Sequence, residues 1–249
     1  MKFLLYAIVP SLEDQQPQVL AGIDGRPVFF IQKDGVGAAV SRLENTVQAP
    51  EITHILTYQK VIETLHNKSS VIPMRYGCLF ENEPQITKML EEHGNEYRVL
   101  LKELEGCVEM GIRILVPDIN SPHSVRDGEE ANLKDTKPLT PGHEYLAALK
   151  ARYGPDQQFA KEMTQMSQQC RTAFSGLFVK YKEEYTRPLK QQSTFQNIYS
   201  LFFLVPRESV AAFHITFQDL CRRQTYKLLL SGPWPPYNFV LPDNLPSGD

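Results

Sequence analysis

The chain has little of what several function classes require. Its four cysteines, Cys78, Cys107, Cys170 and Cys221, are widely separated and form no C-x-x-C pair. A zinc ribbon and a dense disulfide framework are therefore excluded, and the expectation is reduced, mostly buried thiols. The net charge of −3 over 249 residues gives no general attraction to nucleic acid or anionic lipid. No apolar run approaches the roughly 20 residues of a membrane-spanning helix. The opening run Lys2–Val9 is short, stops at Pro10 and leads into Ser11-Leu12-Glu13-Asp14 without a small-x-small cleavage site. It reads as a buried first strand and not as a signal peptide.

What is present is ordinary globular composition, with 42% hydrophobic and 22% charged residues, which excludes disorder for the bulk of the chain. At about 100–200 residues per domain the length suits one large or two small domains. After the first strand, 27–31 and 37–40 read as a hairpin turned at Asp34-Gly35. Ile52, Ile55, Leu56, Ile62 and Leu65 recur at helical spacing after Pro50. Val71–Phe80 reads as an extended segment that Pro73 confines to an edge or bend. A second helix starts near Pro84 and carries Ile86, Met89, Leu90, His93, Tyr97, Leu100, Leu101 and Leu104 on one stripe, with Gly106 as its stop. Val108–Val116 reads as a strand.

Residues 117–142 are rich in Pro, Asp, Asn, Ser and Gly, and are expected to be a long loop or linker. A third helix is expected over about 143–182, with Phe159, Met163, Met166, Cys170, Phe174, Leu177 and Tyr181 as its stripe. A strand (197–205), a helix (207–223) and a strand (226–230) follow. The expectation is an α+β fold of two small domains, 1–106 and 107–249. The order β-α-β-α-β from residue 107 fits a ferredoxin-like, split βαβ plan.

Candidate catalytic patterns are weak. Gly35-Val36-Gly37 lacks the third glycine and the helix of a phosphate cradle. Glu51/His54 and Glu63/His66 have Glu-x-x-His spacing, but both lie on one helix about 18 Å apart at 1.5 Å per residue, so they cannot share a metal. They read as solvated polar groups. His93 and His214 sit on apolar stripes with no nucleophile tied to them, and Cys78 has no activating partner in the sequence. No strand matches the aromatic signature of an RNA-recognition sheet. The expectation is therefore a protein that is no enzyme, with no catalytic residue, cofactor or metal, and with neither nucleic acid nor a lipid membrane as its partner. Gly232-Pro233-Trp234-Pro235-Pro236-Tyr237 contains the only tryptophan. It reads either as a proline-rich ligand for an aromatic groove or, preferentially, as an irregular closing segment whose Trp and Tyr pack onto the fold.

Four segments together resemble the gas vesicle protein F/L family. They are Leu5-Tyr6-Ala7-Ile8-Val9, the run Val71–Phe80, Val108-Glu109-Met110-Gly111-Ile112-Arg113, and Gly232–Phe239. The two most specific patterns supply Pro73, Arg75, Tyr76, Gly77 and Phe80, and Gly232, Pro233, Trp234, Pro235, Pro236 and Tyr237. Tyr76 stands where Phe is commoner, and Cys78 where Thr is usual. The compact length is more like the F branch than the L branch. The resemblance implies an accessory or minor structural protein of the gas vesicle, the gas-filled protein shell that gives buoyancy. Its implied place is on the shell, within the cytoplasm. The implied partners are the small, very hydrophobic major shell protein and other gas vesicle accessory proteins, with no enzymatic activity. Arg75 is expected to brace the bend before Gly77 by pairing with a carboxylate. Contact with the shell protein is expected at an exposed sheet edge or apolar patch of one domain, on the strength of the abundant strand segments and of aromatics such as Phe29, Phe30, Phe202 and Phe203. The alternatives are a small-molecule-binding or enzymatic α+β ferredoxin-like protein, which a deep polar pocket would favour, and a purely structural shell component.

Overall fold

The computed structural model describes residues 2–11, 20–44, 51–116, 161, 163–186, 197–224 and 226–240. The expected linker at 117–142 and Phe159 lie outside these residues. The fold is α+β, with two separate antiparallel sheets.

The first sheet contains β1 (Lys2–Pro10), β2 (Leu20–Ala21), β3 (Pro27–Lys33), β4 (Val36–Leu43), β5 (Ile72–Pro73) and β6 (Leu79–Phe80). The strands lie in the order β2-β3-β4-β1-β5, with β6 also on β1. Strand β1 is apolar on both faces because a helix covers each. Leu4, Tyr6 and Val9 pack with Tyr58, Val61, Ile62 and Leu65 of α1 (Ile52–His66). Phe3, Leu5 and Ile8 pack with Ile86, Met89, Leu90 and Tyr97 of α2 (Glu83–Glu103). A register shift between Leu5 and Ala7 explains why positions 5 and 8, three apart, share a face. Asn82 caps α2 by accepting from the Gln85 N–H at 3.1 Å, with Pro84 in the first turn.

The second sheet contains β7 (Cys107–Val116), β8 (Lys180–Thr186), β9 (Asn197–Pro206) and β10 (Lys227–Trp234), in the order β10-β7-β9-β8. Helical residues 163–173 form α3, and α4 spans Val210–Arg223. The described elements therefore run β-α-β-β-α-β, the element order of a split βαβ plan. One more strand is present than the sequence pattern suggests. The expected third helix does not reach 182: its stripe holds through Met163, Met166, Cys170 and Phe174, and then Gly176 adopts φ +80° and stops it. From Lys180 the chain pairs along β9, placing Tyr181 on the helix-covered face and Lys182 on the other.

Both helices pack on one face of this sheet, around Met110, Ile112, Phe174, Phe203 and Phe213. Part of the opposite face meets the first sheet's core, which includes Cys107, Leu204 and Phe239. The Arg207 guanidinium also donates to the His66 carbonyl at 2.7 Å across the two halves. His66 is buried, contrary to the solvated reading of its Glu-x-x-His pair, because the end of α1 abuts this junction.

Candidate functional site

Where the uncovered face of the second sheet leaves the first half, a cleft of about 1010 Å³ opens between them. Its walls come from α1 (Ile55, Tyr58, Gln59), from the Pro73–Tyr76 bend and from the closing segment (Trp234, Tyr237, Asn238, Val240). Lys182, Glu183 and Glu184 of β8 and Phe202 of β9 complete it. Among the sequence-predicted residues, Pro73, Arg75, Tyr76, Trp234 and Tyr237 thus converge from two distant parts of the chain. The other six lie outside its lining. Phe80 is buried in the first sheet's core, Pro235 and Pro236 are buried, and Gly77 turns at φ +90° after the bend.

Tyr58 holds the upper wall in place. Its hydroxyl lies 2.8 Å from the Leu5 carbonyl and 3.1 Å from those of Met74 and Arg75, so one donor ties α1 to both β1 and the bend. The ring stacks on Tyr6 at 5.0 Å and meets Tyr76 edge-on at 5.2 Å. Burial holds the Tyr58 and Tyr76 hydroxyls above the usual tyrosine range, so both stay protonated donors. The Tyr76 hydroxyl oxygen is shielded from solvent and has no hydrogen-bond partner among the described residues. Arg75 does not brace the bend with a carboxylate: its side chain is exposed and enters no ion pair among the described residues. Bracing comes instead from Tyr58 and from the Cys78 N–H, which donates to the Arg75 carbonyl at 3.3 Å.

Glu109 on β7 holds the lower wall. Its carboxylate accepts from the Asn238 backbone N–H at 2.7 Å and from Asn238 Nδ2 at 2.6 Å. Burial pushes this carboxyl above its ordinary range, while the two Asn238 bonds and the Lys182 charge pull it down. Gly232 makes the approach possible. It has φ +107°, and a Cβ there would sit 2.5 Å from the Glu109 carbonyl oxygen. The closing segment is accordingly not irregular. It continues β10 through a register shift between Ser231 and Trp234, and then makes a 3₁₀ turn at Tyr237–Phe239. Nor do its Trp and Tyr pack away fully: Trp234 and Tyr237 stay 38% and 37% exposed in the cleft, while Phe239 fills the core. Of the aromatics that suggested an exposed patch, Phe203 is fully buried, and Phe202 on the other face lines the cleft.

A family model described as "Gas vesicle synthesis protein GvpL/GvpF" matches residues 2–241 of this chain. The chain belongs to the GvpL/GvpF gas vesicle family. It is 21% identical to gas vesicle protein L1 of Halobacterium salinarum, over 95% of this chain and 89% of that one. It is 22% identical to gas vesicle protein F of a Streptomyces species, over 96% and 100%. In fold it is similar to the crystal structure of GvpF from Anabaena sp. PCC7120, with a TM-score of 0.71, 19% identity and 96% of each chain covered. GvpF from Microcystis aeruginosa gives the same TM-score at 18% identity, over 96% of this chain and 99% of that one.

The cleft of this gas vesicle protein is chemically suited to holding a partly apolar segment. Phe202, Trp234, Tyr237, Ile55 and Val240 offer apolar surface, and Arg75, Lys182 and Gln59 offer polar contacts. Burial pushes the nearby Cys78 thiol up to about 11, so it is protonated at neutral pH. Among the described residues, no three His, Cys, Asp or Glu side chains are grouped to hold a metal. Nor is any helix among them long and apolar enough to cross a membrane. Sequence reasoning missed Tyr58 and the role of Glu109. Tyr58 was visible three residues after Ile55 and four before Ile62, on the same helix stripe. Glu109 was visible as a carboxylate near the start of an otherwise largely apolar strand.

Proposed function

We propose that this chain is an accessory protein that assists assembly of the gas vesicle shell by contacting its small, very hydrophobic major protein. The role is one of interaction and not of catalysis, carried out at the shell within the cytoplasm. The observation that carries this reading is the convergence of both family-specific segments, through Pro73, Arg75, Tyr76, Trp234 and Tyr237, on one largely apolar cleft. Unpaired apolar segments of a shell subunit aggregate, and a groove that covers them keeps them available for assembly. The division at residues 106/107 assigns one sheet to each unit and makes the cleft their seam, with the second unit ferredoxin-like.

The cleft is concave, which gives the small-molecule alternative one observation of its own: its volume is that of a ligand pocket. Pull-down of the co-expressed major shell protein separates the two readings. Direct capture supports the assembly role, and no capture in either soluble or co-expressed form overturns it. Deleting the gene then distinguishes assembly, where vesicles are lost, from reinforcement, where they form but are weak.

A further inference from the structure

The two edges of the second sheet are built differently. Strand β8 carries Lys180, Lys182, Glu183 and Glu184 among its seven residues. Strand β10, the opposite edge, has Lys227 at its start and then Leu228-Leu229-Leu230-Ser231 without a charge or a proline. Charges, prolines and bulges are what keep sheet edges from pairing with other strands. On β10 they stand only at the ends, as Lys227 and as Pro233 in the register shift between Ser231 and Trp234. Among the described residues, 227–231 pair with β7 alone and make no backbone hydrogen bond on their outer side.

A second copy that extends the sheet, with the helices of both copies on the same face, must pair antiparallel about a two-fold axis through a single residue. Paired residues share a face and side chains alternate along a strand, so no axis between residues satisfies this. On β8 every such axis from 181 to 184 opposes like charges: Lys180 meets Lys182 about Tyr181, and Lys182, Glu183 and Glu184 each meet their own copies. Like charges directly opposite are destabilising. On β10 an axis through Leu229 opposes Leu228 to Leu230 and Lys227 to Ser231, with no like pair. The two Lys227 residues end four positions apart along the strand, about 14 Å at 3.4 Å per residue, beyond the screening length of ~10 Å at 0.1 M salt. Leu228 and Leu230 belong to the helix-covered core beside Phe217 and Cys221 of α4, so the joined inner face is apolar without a break. Leu229, 43% exposed on the other face, gains cover. The first half of the chain packs at the Leu204 end of the sheet, near Trp234, and the axis carries its copy to the opposite end.

We propose that two copies of this chain associate through β10, pairing antiparallel about Leu229 and joining two four-stranded sheets into one of eight. One self-complementary edge per chain gives a closed pair, and the charged β8 edge stops the sheet from growing further. The axis is perpendicular to the sheet, so both uncovered faces, and with them both clefts, look the same way. Where the inference rests on the reading of the cleft as the partner-facing site, the dimer offers two sites to a surface of repeated subunits, and double engagement strengthens capture without a new contact.

The test measures the mass of the full chain by light scattering over a concentration series, beside that of Leu229→Lys. The intact chain should reach the mass of a dimer at the upper end of the series. Leu229→Lys sets two ammonium groups on the axis and should weaken association roughly ten-fold or more, with the melting temperature unchanged because the position is exposed. A second measurement fixes the place of contact. In a chain with Cys78 and Cys221 replaced by Ser, Leu229→Cys should give a reductant-sensitive dimer on mild oxidation, since directly opposed residues stand about 4.5–5.5 Å apart, within disulfide reach. Glu184→Cys on β8 should give none. A monomer at every concentration, a dimer indifferent to Leu229→Lys, or crosslinking at 184 and not at 229 overturns the inference. So does a crosslink from 229 that forms only to a different gas vesicle protein on co-expression. The two proposals fail separately. A monomer that captures the shell protein removes the dimer and leaves the assembly role standing, and a dimer that captures nothing does the reverse.

Discussion

The first sheet is covered by helices on both faces, and the second by helices on only one. In β1 of the first sheet, Leu4 to Ile8 have no solvent exposure, because α1 and α2 enclose the strand from opposite sides. In the second sheet α3 and α4 share one face, and part of the other forms the cleft with Phe202, Lys182 and Glu184. An antiparallel sheet tolerates one open face, so the second sheet can offer surface to a partner where the first cannot. Stability concentrates in the first region, and the proposed function places recognition along the open face of the second.

The largest expected effect lies in the enclosed strand. Leu5→Ala should lower unfolding free energy by about 3–4 kcal/mol, as a large-to-small change at a site with no room to collapse. Chemical denaturation checks this, and a cost near that of an exposed position would break the comparison. The second effect concerns the junction of the two halves. Burial, and then the Arg207 charge, hold His66 down to about 4 from its ordinary 6.5. The unfolded chain therefore takes up a proton between pH 6.5 and 4 that the folded chain refuses. Stability should fall as pH drops through that window, by about 3 kcal/mol at most. His66→Leu should flatten that slope, measured by denaturant midpoints across the window. Tyr58→Phe should cost about 1–2 kcal/mol, since it removes the donor shared by the Leu5, Met74 and Arg75 carbonyls. The smallest effect is Arg75→Glu, on the cleft rim, which should change stability by no more than about 0.5 kcal/mol. A large loss there would show the rim to be structural.

Much of this division was legible in the sequence. The unbroken apolar run of β1 announces a strand covered on both sides, and the Pro84-to-Gly106 pattern frames α2 almost to the residue. Both motif segments that meet in the cleft were recognisable, but their meeting was not, because no local pattern reports that residues 73–76 and 234–237 lie side by side. β8 was hidden for a different reason. Phe174, Leu177 and Tyr181 continue a helical period, and only the conformation of Gly176 and the pairing with β9 turn Tyr181 into a strand residue. The first turn of α1 misled in the opposite direction: Ile52 and Leu56 have the spacing of a buried stripe and are exposed. Periodicity reports which face a helix presents, but not whether anything packs on it.

The most direct test of the account is capture of the major shell protein by the intact chain, compared with capture by a variant combining Arg75→Glu, Lys182→Glu and Phe202→Ser. The account predicts capture by the intact chain and its loss in the variant, compared at a temperature where circular dichroism shows the variant still folded, since Phe202 packs against the core and its loss lowers the melting temperature. Equal capture by a folded variant would contradict it and place recognition outside the cleft.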